Sequence, residues 1–123
     1  MKELFGESTP DKMLFQYFQK LQDKWQPLLA KAHSLVEKTH KLVILREKEG
    51  CSLQCRDDGH DGFLIEEFHN PLQRIFERYP RAVAMEQRMI EELLGSRVIR
   101  RELDGGRDGQ PRVIFEVHAL VSH

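Results

Sequence analysis

The sequence predicts an α+β fold: two N-terminal helices, a β-hairpin, a broken helix and a second hairpin, with the strands in one antiparallel sheet covered on one side by helices. Three observations carry this reading. Apolar residues recur at helical spacing up to Glu49, the period changes to two from Cys51, and Gly/Asp-rich turns punctuate the paired β-rich runs. A chain of 123 residues with 40% hydrophobic composition buries one modest core, extended at most by a projecting element.

The first helix starts at Ser8-Thr9-Pro10-Asp11. Leu14, Phe18, Leu21, Trp25 and Leu28 follow at spacings of four, three, four and three, a heptad-like seam. Met13, Phe15 and Tyr17 lie off the seam and widen the apolar surface. Such a helix either packs on the chain's own core or joins a second copy. Gln26-Pro27 predicts a break or kink, so residues 1–33 read as a dimerisation or linker helix and residues 34–123 as an α+β regulatory domain.

Ser34-Leu35-Val36-Glu37 is a capping-box pattern, opening a second helix that should run to Glu49 and stop at Gly50. Val36, Thr39, Leu42, Val43 and Leu45 supply its buried face, and its many charges read as solvated surface. Cys51, Leu53 and Cys55 then alternate with polar residues, and after the turn Asp57-Asp58-Gly59-His60-Asp61-Gly62 the run Phe63 to Phe68 completes a hairpin.

Asn70-Pro71, with Gln73 three residues after the Asn, signals the third helix. Tyr79-Pro80 interrupts it, apolar residues resume at Val83, Met89, Ile90, Leu93 and Leu94, and Gly95 is the stop. Arg97 to Leu103 and Arg112 to Ala119 pair around a Gly-rich loop, with Val113, Phe115, Val117 and Ala119 on one face.

Charge and composition exclude several functions. Nineteen basic against twenty acidic residues, formally −1, is not the positive field of a domain that binds nucleic acid unaided. No apolar run is long enough to cross a membrane and residues 1–12 lack a signal core, so a cytoplasmic chain is expected. Cys51 and Cys55, if in one strand, lie roughly 13 Å apart, too far for a disulfide; reduced, small core thiols fit better. The six histidines show no close ligand pair; His69, His118 and Cys55 would need folding to assemble, and no metal or cofactor is expected. His60 belongs to a turn too short for a calcium loop. Glu66 and Glu67 face opposite sides of a strand, against a paired-carboxylate site. Arg97, Arg100, Arg101, Arg107 and Arg112 are interleaved with acids, which favours a solvated sheet face over phosphate binding. With no nucleophile elbow, phosphate loop or HExxH, an enzyme is not expected.

The ordered features Glu49-Gly50, the Asp58-to-Gly62 turn, Asn70-Pro71, Tyr79-Pro80, Glu86, Leu93-Leu94-Gly95, Val98 and Phe115 resemble the C-terminal half of bacterial winged-helix transcriptional regulators, the group that includes the repressors of iron–sulfur cluster assembly. The resemblance covers nearly the whole chain. It implies an effector-sensing and dimerisation domain, with DNA bound only through a winged-helix part that this chain lacks. Cluster-binding members carry cysteines at positions that match Asn70 (with His69 before it), Val83, Leu103 and Val113 here, none able to supply a thiolate. Cluster sensing is therefore not expected.

The leading expectation is a non-enzymatic regulatory module that homodimerises through Leu14, Phe18, Leu21, Trp25 and Leu28. The rival is a binder of a small hydrophobic ligand, or a small enzyme, with an apolar pocket between the sheet and the third helix. Phe63, Ile65, Asn70, Val83, Met85, Met89, Val113 and Phe115 would line it, and His69 or Cys55 would be its polar element.

Overall fold

A computed structural model of the chain describes residues 8–57 and 62–118. The first hairpin's turn at 58–61 and the expected strand end at Ala119 lie outside them. Helix α1 (Ser8–Ala30) is followed by α2 (Leu35–Lys48), strands β1 (Ser52–Asp57) and β2 (Gly62–His69), helices α3 (Gln73–Arg78) and α4 (Arg81–Leu94), and strands β3 (Arg97–Leu103) and β4 (Arg112–His118). The strands form one antiparallel sheet in the order β1-β2-β4-β3, the α+β arrangement the sequence predicts.

The register explains which side of the sheet is covered. Ile65 lies opposite Phe115, and Phe63 and Val98 lie opposite Val117, so alternation puts all five on one face, where they join the core. The opposite face carries Arg56, Glu66, Arg101 and Glu116. It is laced by ion pairs Arg56–Glu66 (3.3 Å), Arg112–Glu66 (3.8 Å) and Arg101–Glu116. The arginine-rich C-terminal hairpin is thus matched with acids, as its interleaved charges suggest.

Helix α1 departs from expectation in three ways. It runs through Pro27 to Ala30, because Leu29 is fully buried and packing holds the last turn despite the missing amide donor. Its buried stripe is Phe18, Trp25 and Leu29, with Leu28 41% exposed. At 100° per residue Leu28 lies about 80° from Phe18, whereas Leu29 lies about 20° away, so a straight helix buries the latter. Finally, Phe18 and Trp25 are buried within their own chain, and Leu14 and Leu21 pack half-buried against the same core. The expected dimer seam Leu14, Phe18, Leu21, Trp25, Leu28 is corrected accordingly: its two aromatic residues are used by the fold. The division at residue 33 likewise falls inside a unit with a single core, since α1 shares its cluster with Leu42, Ile65 and Phe115. Arg81–Asp11 (2.9 Å) and Gln22–Glu92 (2.9 Å) add polar ties between α1 and α4.

Helix α2 starts where its capping pattern predicts, with Ser34 Oγ accepting from the Glu37 amide at 3.2 Å, while Glu37 Oε2 accepts from the His33 amide at 3.2 Å, one residue before the cap whose amide a capping box would use. Gly50 ends it at φ +101°, and a Cβ there would meet Pro71 Cγ at 3.0 Å. That close approach seats the end of α2 against the start of the third helical segment. Asn70 opens that segment by accepting the Leu72 amide at 2.8 Å on its side chain. The Tyr79-Pro80 break separates α3 from α4, and Gly95 stops α4 in the left-handed region.

Candidate functional site

Three charged residues occupy positions that the periodicity of their elements assigns to the core. Arg46 continues the buried stripe of α2 after Thr39 and Leu42. Glu67 follows Phe63 and Ile65 on the covered face of β2, and Glu86 sits between Ala82 and Met89 on the buried face of α4. Folding brings them together. The Arg46 guanidinium pairs with Glu67 and, through Nη2, with Glu86 Oε2 at 3.1 Å. Asn70 bridges the carboxylates, its Nδ2 donating to Glu67 Oε1 and to Glu86 Oε2 at 3.1 Å each. Asn70 is itself held through its amide, which donates to Gln110 Oε1 at 2.9 Å. The guanidinium also lies 5.8 Å from the Phe115 ring centroid.

Burial sets the electrostatics. Arg46 is 4% exposed and Glu67 and Glu86 are each 2% exposed. Burial alone would pull Arg46 down, but Glu67 and Glu86 outweigh it and hold the guanidinium well above its ordinary value. Burial pushes the Glu86 carboxyl up and the Glu67 charge adds to this, against the opposing pull of Arg46 and Asn70. One positive charge facing two carboxylates leaves a surplus negative charge unless one of them is protonated, and Glu86 is the one driven towards its neutral form. The Cys51 thiol beside the cluster is pushed up to about 12, chiefly by burial, and the Tyr17 phenol is raised, again chiefly by burial.

The cluster does not pair all of its own polar atoms. Glu86 Oε1 and Arg46 Nε are buried without a hydrogen-bond partner among the described residues. Both residues line a cleft of about 160 Å³ whose other walls include Tyr17, Leu21, Trp25, Cys51 and Leu72. A polar floor under aromatic and aliphatic walls can hold a small organic molecule.

The site expected from sequence is thereby moved. Ile65, Val113 and Phe115 are buried in the core and Phe63 and Val83 pack against it, so the space between the sheet and α4 is filled. Met85 and Met89 line a separate groove of about 200 Å³ between α4 and α1, and His69 a polar one beside Asp108. Of the ten residues named for the pocket, Asn70 alone borders the cleft. The reason is volume: large residues interdigitate beneath α4, whereas the end of α2 and the Asn70–Leu72 segment meet α1 around charged side chains. Sequence reasoning missed Arg46, Glu67 and Glu86 as a group and assigned the charges of α2 to the surface. The available signal was three ionisable residues, each on an apolar stripe of a different element.

Cys51 and Cys55 are free thiols. His69 and His118 lie at opposite ends of the sheet, since His118 faces Gly62 at the start of β2 and seven residues of strand span roughly 23 Å. Among the described residues no group of three or more His, Cys, Asp or Glu is placed to hold a metal ion, and no helix is long and apolar enough to cross a membrane. Compared with protein-family models, curated proteins and solved structures, the chain matches none.

Proposed function

We propose that this chain is a non-enzymatic effector-sensing module of a cytoplasmic transcriptional regulator, in which DNA is read by a separate winged-helix part and the effector is received in the cleft floored by Arg46, Asn70 and Glu86. One observation carries the reading: a buried ion cluster, with Glu86 Oε1 and Arg46 Nε lacking partners among the described residues, whose members Arg46, Asn70 and Glu86 border a cleft with apolar walls. A purely structural cluster would be expected to satisfy its own polar atoms, because each one left unpaired costs about 1–3 kcal/mol. The ordered resemblance to winged-helix regulators supports the same class. Against covalent catalysis stands the Cys51 thiol, pushed up to about 12 and so protonated at neutral pH.

Trp25 is the sole tryptophan and lines the cleft, so its emission reports occupancy. A fragment screen read by Trp25 fluorescence should yield binders, each weakened by the cleft-filling substitution Leu72→Trp when followed by ligand-observed NMR. A screen in which nothing perturbs Trp25, or in which Leu72→Trp weakens no binder, contradicts the reading.

Self-association belongs to the same proposal, moved to the exposed flank of α1 where Met13, Tyr17 and Leu28 stand beside half-buried Leu14 and Leu21. Sedimentation at micromolar concentration should show a dimer that Met13→Asp with Leu28→Asp converts to monomer. A wild-type monomer removes this half of the proposal without touching the cleft.

A further inference from the structure

We infer that the outer edge of β3 docks the same edge of a second copy of this chain, the two strands pairing antiparallel about a twofold axis at Arg101 so that two sheets become one. This goes beyond the sensing reading, and the edge shares no residue with the cleft or with the α1 flank.

The sheet order gives β3 one neighbour, β4, so its other side is an edge. Helix α4 shows which backbone groups point there. The Val98 amide donates to Glu91 Oε2 at 3.0 Å and the Val98 carbonyl accepts from Gln87 Nε2 at 2.9 Å, so both groups turn away from β4 and α4 side chains occupy the edge at that level. Outward and inward residues alternate in an antiparallel pair, so the amides and carbonyls of Arg100 and Glu102 also point outward. Among the described residues no side chain bonds to them, and Arg101, Glu102 and Leu103 beside them are exposed. The body of α4 lies over the sheet, since Glu86, next to Gln87, reaches inward to Asn70 at the end of β2 at 3.1 Å.

The side chains name the occupant. With Arg101 on the axis, Arg100 stands opposite Glu102 of the second copy on the covered side, and Ile99 stands opposite Leu103 on the open side; symmetry repeats both pairs. Opposed charges meet and apolar residues meet. Arg100 already bonds Glu102 of its own chain at 2.8 Å, so docking joins two ion pairs into a ring of alternating sign. Glu116 pairs with Arg101 within each chain and offsets the meeting of two arginines at the axis. Other registers lose this match. An axis at residue 100 sets Arg100 against Arg100 and needs the Val98 groups that α4 already holds, and an axis at residue 102 sets Glu102 against Glu102. A contact confined to residues 99–103 buries little area, so its Kd is on the order of 0.1–1 mM. It is silent at micromolar concentration and joins copies where they are crowded together.

Translational diffusion by NMR at about 1 mM, in the Met13→Asp, Leu28→Asp background so that the α1 flank contributes nothing, tests the inference. Diffusion should slow with concentration. Arg100→Glu and Glu102→Arg should each weaken association at least about tenfold, because each sets like charges opposite one another. An equimolar mixture of the two variants should return it to within about threefold of the parent, since each chain then supplies the charge that the other lacks. A second measurement stands even if Arg100→Glu does not fold. Residue 101 is a non-hydrogen-bonded position on the axis, where Cα atoms about 4.5 Å apart suit a disulfide, so Arg101→Cys should oxidise to a 101–101 crosslink in peptide mass spectrometry and Arg97→Cys on the same strand should not. No association of the parent at that concentration overturns the inference. So do association unmoved by either charge variant, a mixture no better than its folded components, and crosslinking of Arg97→Cys equal to that of Arg101→Cys. None of these results bears on the cleft.

Discussion

Glu66 and Glu67 are neighbours in β2, and both pair with arginine, yet they belong to different physical systems. Glu66 points to the uncovered face of the sheet, where its partners Arg56 and Arg112 are 60% and 35% exposed and lie 3.3 Å and 3.8 Å away. Glu67 points under the helices, where Arg46 is 4% exposed and is shared with Glu86. Water reaches the arginines of the first set although Glu66 itself is only 7% exposed, and the protein must solve the second internally with Asn70 as the bridge. The pleat of one strand therefore separates a surface lattice of little energetic weight from a buried cluster whose parts depend on one another. The same residue types form an interdependent cluster only where burial makes their charge costly.

The sharpest way to break this contrast is to remove one cation from each system. Arg46→Met leaves buried carboxylates without a counter-charge and should cost about 3–5 kcal/mol in denaturant unfolding, whereas Arg101→Ala on the open face should cost less than about 1 kcal/mol. Equal effects would mean that the two faces are not distinct. Next in size, replacing Arg46, Glu67 and Glu86 together by Met, Leu and Leu should restore the stability lost in Arg46→Met to within about 1 kcal/mol of wild type, and should abolish binding in the cleft. A triple variant as unstable as the single one would assign the cluster to architecture.

A smaller effect follows from Glu86 itself. Its carboxyl is raised above the ordinary range by burial, so the folded state binds more protons than the unfolded one between the two values. Stability should therefore fall as pH rises from the ordinary carboxylate range through Glu86's own raised value. Glu86→Gln should remove that slope in urea titrations across the window. The smallest expected difference is chemical: with its thiol pushed up to about 12, Cys51 should resist iodoacetamide at pH near 8 where an unfolded peptide thiol reacts, as peptide mass spectrometry would show.

Much of the fold was legible because local rules and global packing agree. Ser34, Gly50, Asn70, Pro80 and Gly95 each mark an element boundary in the way their chemistry dictates, and the alternation in β2 and β4 identifies the covered face. Helix α1 was misread where two packing choices fit one spacing: Leu28 suits a heptad seam, Leu29 a straight helix on a globular core, and only the partner decides. The site was legible in pieces. Asn70 and Glu86 stand among the residues on which the sequence resemblance was read, whereas Arg46 was taken with the surface charges of its helix and Glu67 only as the neighbour of Glu66 on the other side of a strand. Their convergence was not, because it depends on the antiparallel order that brings the end of β2 beneath the end of α2, a distance no local pattern encodes.

The protonation of Glu86 is the point on which the charge balance of the buried cluster turns. A 13C NMR titration of its side-chain carboxyl carbon reads this state directly. The expected midpoint is shifted upward from the ordinary carboxylate value; a midpoint at or below that value would mean an ionised Glu86 and a cluster with surplus negative charge.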